Sequence, residues 1–197
     1  MTVSSSIADH LAQIAPPEKT ILIDAFGGAG GNTIAFALSN RWKQIFYMEK
    51  NPLTLRCARH NAEVYGVKGK IMFLQGDCFE LLQKRFVGRA QNIVIFASPP
   101  WGGVNYKDTE IFDLSTMEPY NLKTLYEKFT KFSPDVALYL PRSSNLNQVA
   151  RYAKDEEQLQ VVHYCAQGAS KVSVFVLSSS DPLLTRYRPC ACTMAIS

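Results

Sequence analysis

Short apolar runs and amphipathic stretches alternate along most of the chain. Near-continuous apolar runs of about five residues are typical of strands that are buried on both faces of a parallel sheet. Such runs predict five strands, at residues 20–24, 44–48, 70–75, 92–97 and 135–140. Two further runs, at residues 159–166 and 171–177, flank Gln167-Gly168 and predict a closing hairpin that adds an antiparallel edge.

The stretches between the strands carry helical signals. Helices are predicted at residues 33–39, 79–86 and 122–132. A further helix begins at Asn51-Pro52, because asparagine is a favoured N-cap and proline is tolerated in the first helical turn. The apolar face of this helix recurs at three- and four-residue spacing and stops at Gly66; it comprises Leu55, Ala58, Ala62 and Tyr65.

This alternation predicts an α/β fold of the Rossmann-like type. We expect a mostly parallel, seven-stranded sheet with an antiparallel C-terminal hairpin and helices on both faces. The sequence has no internal repeat and no long linker, so one domain is expected over residues 1–180, with residues 1–19 as a short helical lead-in. Residues 181–197 show little periodicity and are expected to form a tail.

Composition narrows the class of protein without choosing a function. The chain is 47% hydrophobic and 19% charged, as is typical of a soluble globular protein. It has no apolar run of about 18 residues and no signal-peptide pattern, so no membrane span or leader is expected. The net charge of +4 permits a nucleic-acid partner but does not by itself favour one.

Cysteine usage indicates a reducing, intracellular compartment. The chain has five cysteines, an odd number, and most of them fall in or beside predicted elements, where cysteine behaves as a small apolar residue. Cys190 and Cys192 form a C-x-C pair near the end. Further ligands at zinc-site spacing are lacking, so no metal is expected.

A glycine cluster between the first strand and the first helix predicts a cofactor site. Glycines there allow a tight turn and a close approach of the backbone to a ligand. A dinucleotide fingerprint needs a third glycine where this chain has Thr33 after Gly28-x-Gly30. Asp24 would also repel a pyrophosphate, whereas a carboxylate suits the cationic sulfonium and ammonium groups of S-adenosylmethionine.

Two more acidic residues follow the next two predicted strands. Glu49 is placed to accept both ribose hydroxyls of a nucleoside, and Asp77 to accept from an adenine amino group, with Phe79 as an apolar wall. Asp77 could equally cap the helix that begins near Phe79. Because three acids follow successive strands, we favour a nucleoside-containing cofactor.

The sequence Ser98-Pro99-Pro100-Trp101 follows the fourth predicted strand. Paired prolines fix the backbone in an extended form and lack N–H groups, so their carbonyls can accept hydrogen bonds from an aromatic amine. The tryptophan offers a face on which a base can stack. The alternative is a stiff loop with a core tryptophan.

These residues resemble the trimethylguanosine synthase family, the cap-specific guanine-N2 methyltransferases. The resemblance spans residues 7–177 and implies a class I methyltransferase fold with S-adenosyl-L-methionine as cofactor. Its strings are D-A-F-G-G-A-G-G-N-T (24–33), N-A-E-V-Y-G (61–66), G-D (76–77), S-P-P-W-G-G (98–103) and L-P-R (140–142).

The resemblance further implies methylation of N2 in the 7-methylguanosine cap of small nuclear or nucleolar RNA, giving a 2,2,7-trimethylguanosine cap. It implies a nuclear protein, with the nucleolus as a further possibility, that needs no general base. Separately from the resemblance, we expect a monomer. By the same resemblance, Trp101 stacks on the methylated base, Ser98 and Pro99 hold N2, and Arg142 contacts the cap.

The expected site therefore has three groups of residues. The catalytic group is Ser98, Pro99 and Trp101. The cofactor group is Asp24, Phe26, Gly28, Gly30, Asn32, Thr33, Glu49, Asp77, Cys78 and Ser98. The substrate group is Asn61, Ser98, Pro99, Pro100, Trp101 and Arg142.

Other functions compete with this interpretation. A ribosomal or transfer RNA methyltransferase acting on guanine N2 or adenine N6 would use the same cofactor site. A non-catalytic cap-binding or RNA-binding module could retain the same fold. A nicotinamide dehydrogenase is disfavoured by Thr33 and by the lack of an evident hydride-transfer histidine or tyrosine pair.

Overall fold

A computed structural model of the chain describes residues 3–88, 90–102, 110–152, 158–166, 169–178 and 193–195. The chain divides into two compact units, Met1–Ser98 and Pro99–Ser197. Gly103, the Gln167-Gly168 turn, Cys190 and Cys192, all singled out in the sequence, lie outside the described residues.

Residues 3–88 and 90–98 of the first unit, which the structure describes, form four parallel strands. Their order across the unit is β3-β2-β1-β4. The strands are β1 (Ile21–Asp24), β2 (Gln44–Glu49), β3 (Ile71–Gln75) and β4 (Ile93–Ala97). Each of them falls within one residue of its predicted bounds, so the parallel arrangement inferred from the apolar runs is confirmed. Because β2 and β4 flank β1, the strand order reverses there, and open α/β sheets bind ligands at the carboxyl ends of strands beside such a reversal.

Four helices lie in the described part of the first unit: α1 (Val3–Ile14), α2 (Gly31–Leu38), α3 (Pro52–Val64) and α4 (Cys78–Arg85). Short 3₁₀ turns occupy Lys68–Lys70 and Ala90–Asn92. Successive side chains of β2 point to opposite faces of the sheet. Phe46 packs edge-on against Phe86, just after α4, with ring centroids 4.8 Å apart, whereas Tyr47 on the other face contacts Phe73 of β3, over which the guanidinium of Arg59 in α3 lies. Both faces are therefore covered.

The predicted start of α3 is confirmed. The side chain of Asn51 accepts hydrogen bonds from the backbone N–H groups of Leu53 and Thr54, and Pro52 opens the first turn. Tyr65 was wrongly placed on the apolar face. The helix ends at Val64 and the chain reverses at Gly66, where φ is +68°, so the Tyr65 side chain lies outside the helix and is 62% exposed.

The described residues of the second unit form four strands in the order β5-β7-β6-β8, all paired antiparallel. They are β5 (Val136–Pro141), β6 (Gln158–Ala166), β7 (Ala169–Ser178) and β8 (Thr193–Ala195). Its helices are α5 (Leu122–Phe129) and α6 (Leu146–Ala150), and a 3₁₀ turn occupies Leu114–Thr116.

Two expectations for the second unit need correction. The described residues contain eight strands rather than seven, because the three-residue β8 pairs with β6 over Gln160–Val162. This strand is too short for a periodic signal, so it was hidden in the supposed tail. The helix predicted to reach residue 132 ends at Phe129, since the N–H of Thr130 still bonds to Tyr126 but Ser133 is drawn into a turn with Asp135.

Candidate active site

The carboxyl edge of the first unit gathers four of the expected residues. Asp24, Glu49, Asp77 and Ser98 lie at or directly after the ends of β1, β2, β3 and β4. Parallel strands end at a common edge, which is why residues spread over 75 positions meet there.

The glycine loop between β1 and α2 has the backbone that its sequence requires. Gly28 and Gly30 have φ values of +52° and +88°, a region that other L-residues adopt only at a cost. At Gly30 an added Cβ would also lie 3.2 Å from the Cβ of Ala58 in α3. The phenol of Tyr47 donates to the Gly28 carbonyl at 2.6 Å. The conformation of the loop is thus set by the positive φ values of its glycines, and the phenol of Tyr47 supports it from the side of the sheet.

Asp24 lies beneath this loop rather than on its surface. Its side chain is 1% exposed, and its Oδ2 accepts from the Thr33 hydroxyl at 2.5 Å. Among the described residues, Oδ1 has no hydrogen-bond partner. Burial raises the pKa of Asp24 to about 7; bonds from Thr33 and the Phe26 backbone oppose the rise, and the negative charge of Glu49 adds to it.

Glu49 is anchored at the rim of the loop. Its Oε2 accepts from the Gly28 N–H at 3.1 Å and its Oε1 from the Asn51 N–H at 2.8 Å. A carboxylate has about four acceptor positions, so both oxygens can still accept further donors. The side chain is half-buried, and its position is fixed from both sides before any ligand binds.

Asp77 is the N-cap of α4, as the alternative interpretation held. Its Oδ1 accepts from the N–H groups of Phe79 and Glu80 at 3.0 and 3.4 Å. Cys78 and Phe79 are both buried, so the thiol of Cys78 packs in the core and Phe79 contributes no broad open wall. The capping carboxylate nevertheless stays at the carboxyl edge of β3.

The remaining cofactor and substrate residues of the first unit lie on or beside the glycine loop. Phe26 and Asn32 are half-buried on and just after the glycine loop. Asn61, expected to contact substrate, donates through Nδ2 to the carbonyl of Ala29 at 2.9 Å, so α3 holds the glycine loop from the side.

The Ser98–Trp101 segment has a graded exposure. Ser98 is half-buried, Pro99 is buried and Pro100 is exposed. In the second unit, the half-buried indole of Trp101 donates through Nε1 to the carbonyl of Tyr139 at 3.3 Å. The two rings stack with centroids 5.8 Å apart and planes 29° from parallel. Part of the indole stays accessible, and its orientation is fixed.

Arg142 follows β5 and is exposed, which suits contact with an external anion.

Sequence reasoning missed Tyr47 and Tyr139 as supports of the site. Tyr47 is fully buried directly below the glycine loop, and burial, with the charges of Glu49 and Asp24, raises the pKa of its phenol. Its place two residues before Glu49 on a buried strand was the available signal; nothing local indicated Tyr139.

The family of RNA cap guanine-N2 methyltransferases matches this chain over residues 19–180. The chain belongs to that family. Its activity class is therefore cap guanine-N2 methylation, and the matched region contains all the expected site residues.

Named relatives agree with this assignment. Trimethylguanosine synthase of Schizosaccharomyces pombe is 31% identical over 170 residues, which cover 86% of this chain and 69% of that protein. Trimethylguanosine synthase of Saccharomyces cerevisiae is 33% identical over 136 residues, which cover 68% of this chain and 42% of that protein. The matched stretch thus spans less than half of the second relative.

Solved structures give the fold. An RNA methyltransferase from Salinibacter ruber in complex with S-adenosyl-L-homocysteine matches 92% of this chain and 97% of its own, with a TM-score of 0.51 at 19% identity. A methyltransferase from Geobacter sulfurreducens matches 91% and 80%, with a TM-score of 0.61 at 12% identity. The predicted class I methyltransferase fold is confirmed.

No group of histidine, cysteine or acidic side chains among the described residues is arranged to hold a metal ion. No helix in the same part of the chain is long and apolar enough to cross a bilayer.

Proposed function

We propose that the methyl donor is S-adenosylmethionine and that it binds at the carboxyl edge of β1 to β4. The residues there fit a nucleoside with a cationic tail. Glu49 is pinned by two backbone amides beside Gly28 and can accept ribose hydroxyls. Asp24 lies under the loop, and its Oδ1 has no hydrogen-bond partner among the described residues, which leaves an acceptor there for a cationic group. When bound, S-adenosylmethionine supplies a methyl group on a positively charged sulfur.

We propose N2 of a 7-methylguanosine cap as the acceptor, and the indole of Trp101 carries this proposal. A 7-methylated guanine is cationic, and a tryptophan face attracts a cation by about 0.5–2 kcal/mol. The hydrogen bond to Tyr139 and the stacked Tyr139 ring set the plane of the indole in advance. A base can then stack without the ordering cost of a mobile side chain.

In this proposal Ser98 and Pro99 orient the amine of the base. Ser98 follows β4 at the edge where the glycine loop lies, and the carbonyls of this segment can accept from the two N2 hydrogens. Since transfer from a sulfonium is favourable, alignment supplies most of the acceleration: the bond from the methyl group to sulfur breaks as the bond to N2 forms, and the proton lost from N2 passes to solvent water, so no general base is needed. Arg142 binds cap phosphate, as an exposed arginine can do bidentately.

The wider assignments follow from the same proposal. The proposed substrates are capped small nuclear or nucleolar RNAs, and the protein works in the nucleus as a monomer. Residues 1–180 form the methyltransferase domain, and the role of residues 181–197 is left open.

The deciding experiment offers radiolabelled S-adenosylmethionine with 7-methylguanosine triphosphate, unmethylated guanosine triphosphate, capped RNA and uncapped RNA. We expect label on N2 of the 7-methylated cap and of capped RNA, and little on the other two. Equal labelling of uncapped RNA would replace the proposal with a ribosomal or transfer RNA methyltransferase. Binding of cap without any transfer would replace it with a binding module.

A further inference from the structure

The positive charge of the chain is concentrated on one stretch. Residues 1–98 contain eleven basic and seven acidic residues, whereas residues 99–197 contain ten of each. Within the first unit, residues 41–70 have seven basic residues and only two acidic ones. The basic residues behind the net charge of +4 are therefore not spread evenly along the chain.

Six of these cations are exposed, and we name them the α3 basic surface. They are Lys43, Lys50, Arg56, Arg59, Lys68 and Lys70. Arg41, the seventh, is used internally: its guanidinium bonds the carbonyls of Ala15, Pro16 and Lys19 and lies over Trp42.

Helix geometry and contacts join these residues into a track. Arg56 and Arg59 are three positions apart and share one flank of α3. The Arg59 guanidinium lies 5.4 Å from the ring centre of Phe73, which places this flank beside the edge strand β3. α3 is about 20 Å long and begins two residues after Lys50, at the rim of the predicted cofactor site.

The track ends in a groove of about 460 Å³ at the other end of β2 and β3. Lys43, Asn40 and Lys70 line it together with Met72 and Trp42, and no acidic side chain is among its lining residues. Lys70 Nζ donates to the neutral Asn40 Oδ1 at 2.7 Å, so its charge is not compensated.

The carboxylates of this stretch leave most of the charge unpaired. Glu63 pairs with Lys68 at 3.1 Å, and Glu49 is occupied by two backbone amides. Within the described part of the chain, the other five members of the α3 basic surface form no ion pair with a carboxylate. Uncompensated cations along one exposed stretch of the first unit match the phosphate backbone of a nucleic-acid strand.

We propose that the α3 basic surface binds the phosphates of the RNA that follows the cap. This rests on the proposed function, since the cap must be the end presented for methylation. Cap-proximal phosphates then run from Lys50 along Arg56 and Arg59 toward Lys70 and Lys43. A free cap nucleotide lacks the phosphates of the following RNA, so this surface favours capped RNA over a free cap nucleotide.

The test compares two double variants that remove the same charge. R56Q/K70Q alters the α3 basic surface; K84Q/K131Q alters exposed lysines of α4 and of the stretch after α5. Binding of a short 5′-capped single-stranded RNA is followed by fluorescence anisotropy across salt concentrations. Methylation of 7-methylguanosine triphosphate and of the capped RNA is measured in parallel.

For R56Q/K70Q we expect RNA affinity to fall about fivefold or more at low salt. The salt slope should fall by about 1.4, which corresponds to two lost phosphate contacts on a single strand. kcat/KM should fall for capped RNA and stay within about twofold for the cap nucleotide, which also shows that the variant is folded. K84Q/K131Q should behave as wild type in every assay.

Two outcomes overturn the proposal: unchanged RNA binding in R56Q/K70Q, or an equal loss in both variants. Failure of the proposed function looks different, since the wild-type protein would then methylate neither substrate while the anisotropy measurement would still report on RNA binding.

Discussion

The ring of Tyr47 occupies the space that a side chain at position 27 would need. A Cβ built on Gly27 falls far inside van der Waals contact with the Tyr47 ring, which is fully buried and donates to the Gly28 carbonyl. The Tyr47 ring can therefore pack under the glycine loop only because residue 27 has no side chain, and the loop is supported by the phenol.

Gly27→Ala should therefore damage both stability and cofactor binding. Forcing atoms into a packed site costs about 1–3 kcal/mol, and relief requires the Tyr47 ring or the loop to move. Urea unfolding and calorimetry with S-adenosylhomocysteine measure the two effects. Gly69→Ala is the matched control, because no heavy atom lies within 4 Å of its added Cβ. Equal behaviour of the two variants would contradict the packing argument.

Thr33→Val should destabilise the protein above pH 7. The hydroxyl of Thr33 is a donor to a buried carboxylate, and an ionised acceptor left unsatisfied costs about 1–3 kcal/mol. Thr33→Ser keeps the donor and should lose much less of the free energy of unfolding. Indistinguishable urea midpoints for the serine and valine variants would mean that the hydrogen bond contributes nothing.

The raised pKa of Asp24 predicts the pH dependence of stability. Since the folded pKa is about 7 and the usual value is 3.8, the folded state binds the extra proton between these values. The contribution of Asp24 to stability is fully present below about pH 4 and falls as the pH rises to about 7, by roughly 4 kcal/mol.

Asp24→Asn removes this titration, and the comparison with wild type isolates it. Relative to wild type, the asparagine variant should gain free energy of unfolding as the pH rises from 5 toward 8. Urea unfolding at intermediate pH values supplies the curve. A difference that does not change with pH would show that Asp24 titrates normally in the folded protein.

Asn61→Ala distinguishes support of the loop from contact with substrate. If the bond from Asn61 to the Ala29 carbonyl holds the glycine loop, its loss should weaken S-adenosylhomocysteine binding about 2- to 10-fold and leave KM for the cap unchanged. His60→Ala, one position away and exposed, is the control. A raised KM for the cap with normal cofactor affinity would restore the substrate role inferred from the resemblance.

Local signals predicted the elements that local interactions determine. Asn51-Pro52 identified the start of α3 because capping involves only the next three residues. Asp24, Glu49 and Asp77 could be placed at one edge because the parallel order of strands follows from the alternation of elements. The Asp77 cap was foreseen as an alternative for the same local reason.

Contacts between residues far apart in the chain could not be predicted from the sequence. The support of Trp101 by Tyr139 joins positions 38 residues apart, and no short-range pattern encodes it. The burial of Asp24 below the loop was also not predictable, because the sequence pattern is the same for a strand-end carboxylate that lines the site and for one that lies under it. The packing of Thr33 and Tyr47 around Asp24 distinguishes the two positions.

Trp101→Ala should lose cap binding and keep cofactor binding. Stacking of a base on an aromatic side chain is worth about 1–3 kcal/mol, so affinity for 7-methylguanosine triphosphate should fall roughly 10- to 100-fold. Trp101→Phe keeps a ring but loses the Nε1 bond to Tyr139, so it should retain an intermediate affinity. In both variants the preference for 7-methylguanosine triphosphate over unmethylated guanosine triphosphate should shrink, because the cation–π attraction is strongest for the indole. Calorimetry with each nucleotide and with S-adenosylhomocysteine separates the effects. If the alanine variant loses affinity for S-adenosylhomocysteine as strongly as for the cap, Trp101 is a packing residue and the cap site lies elsewhere.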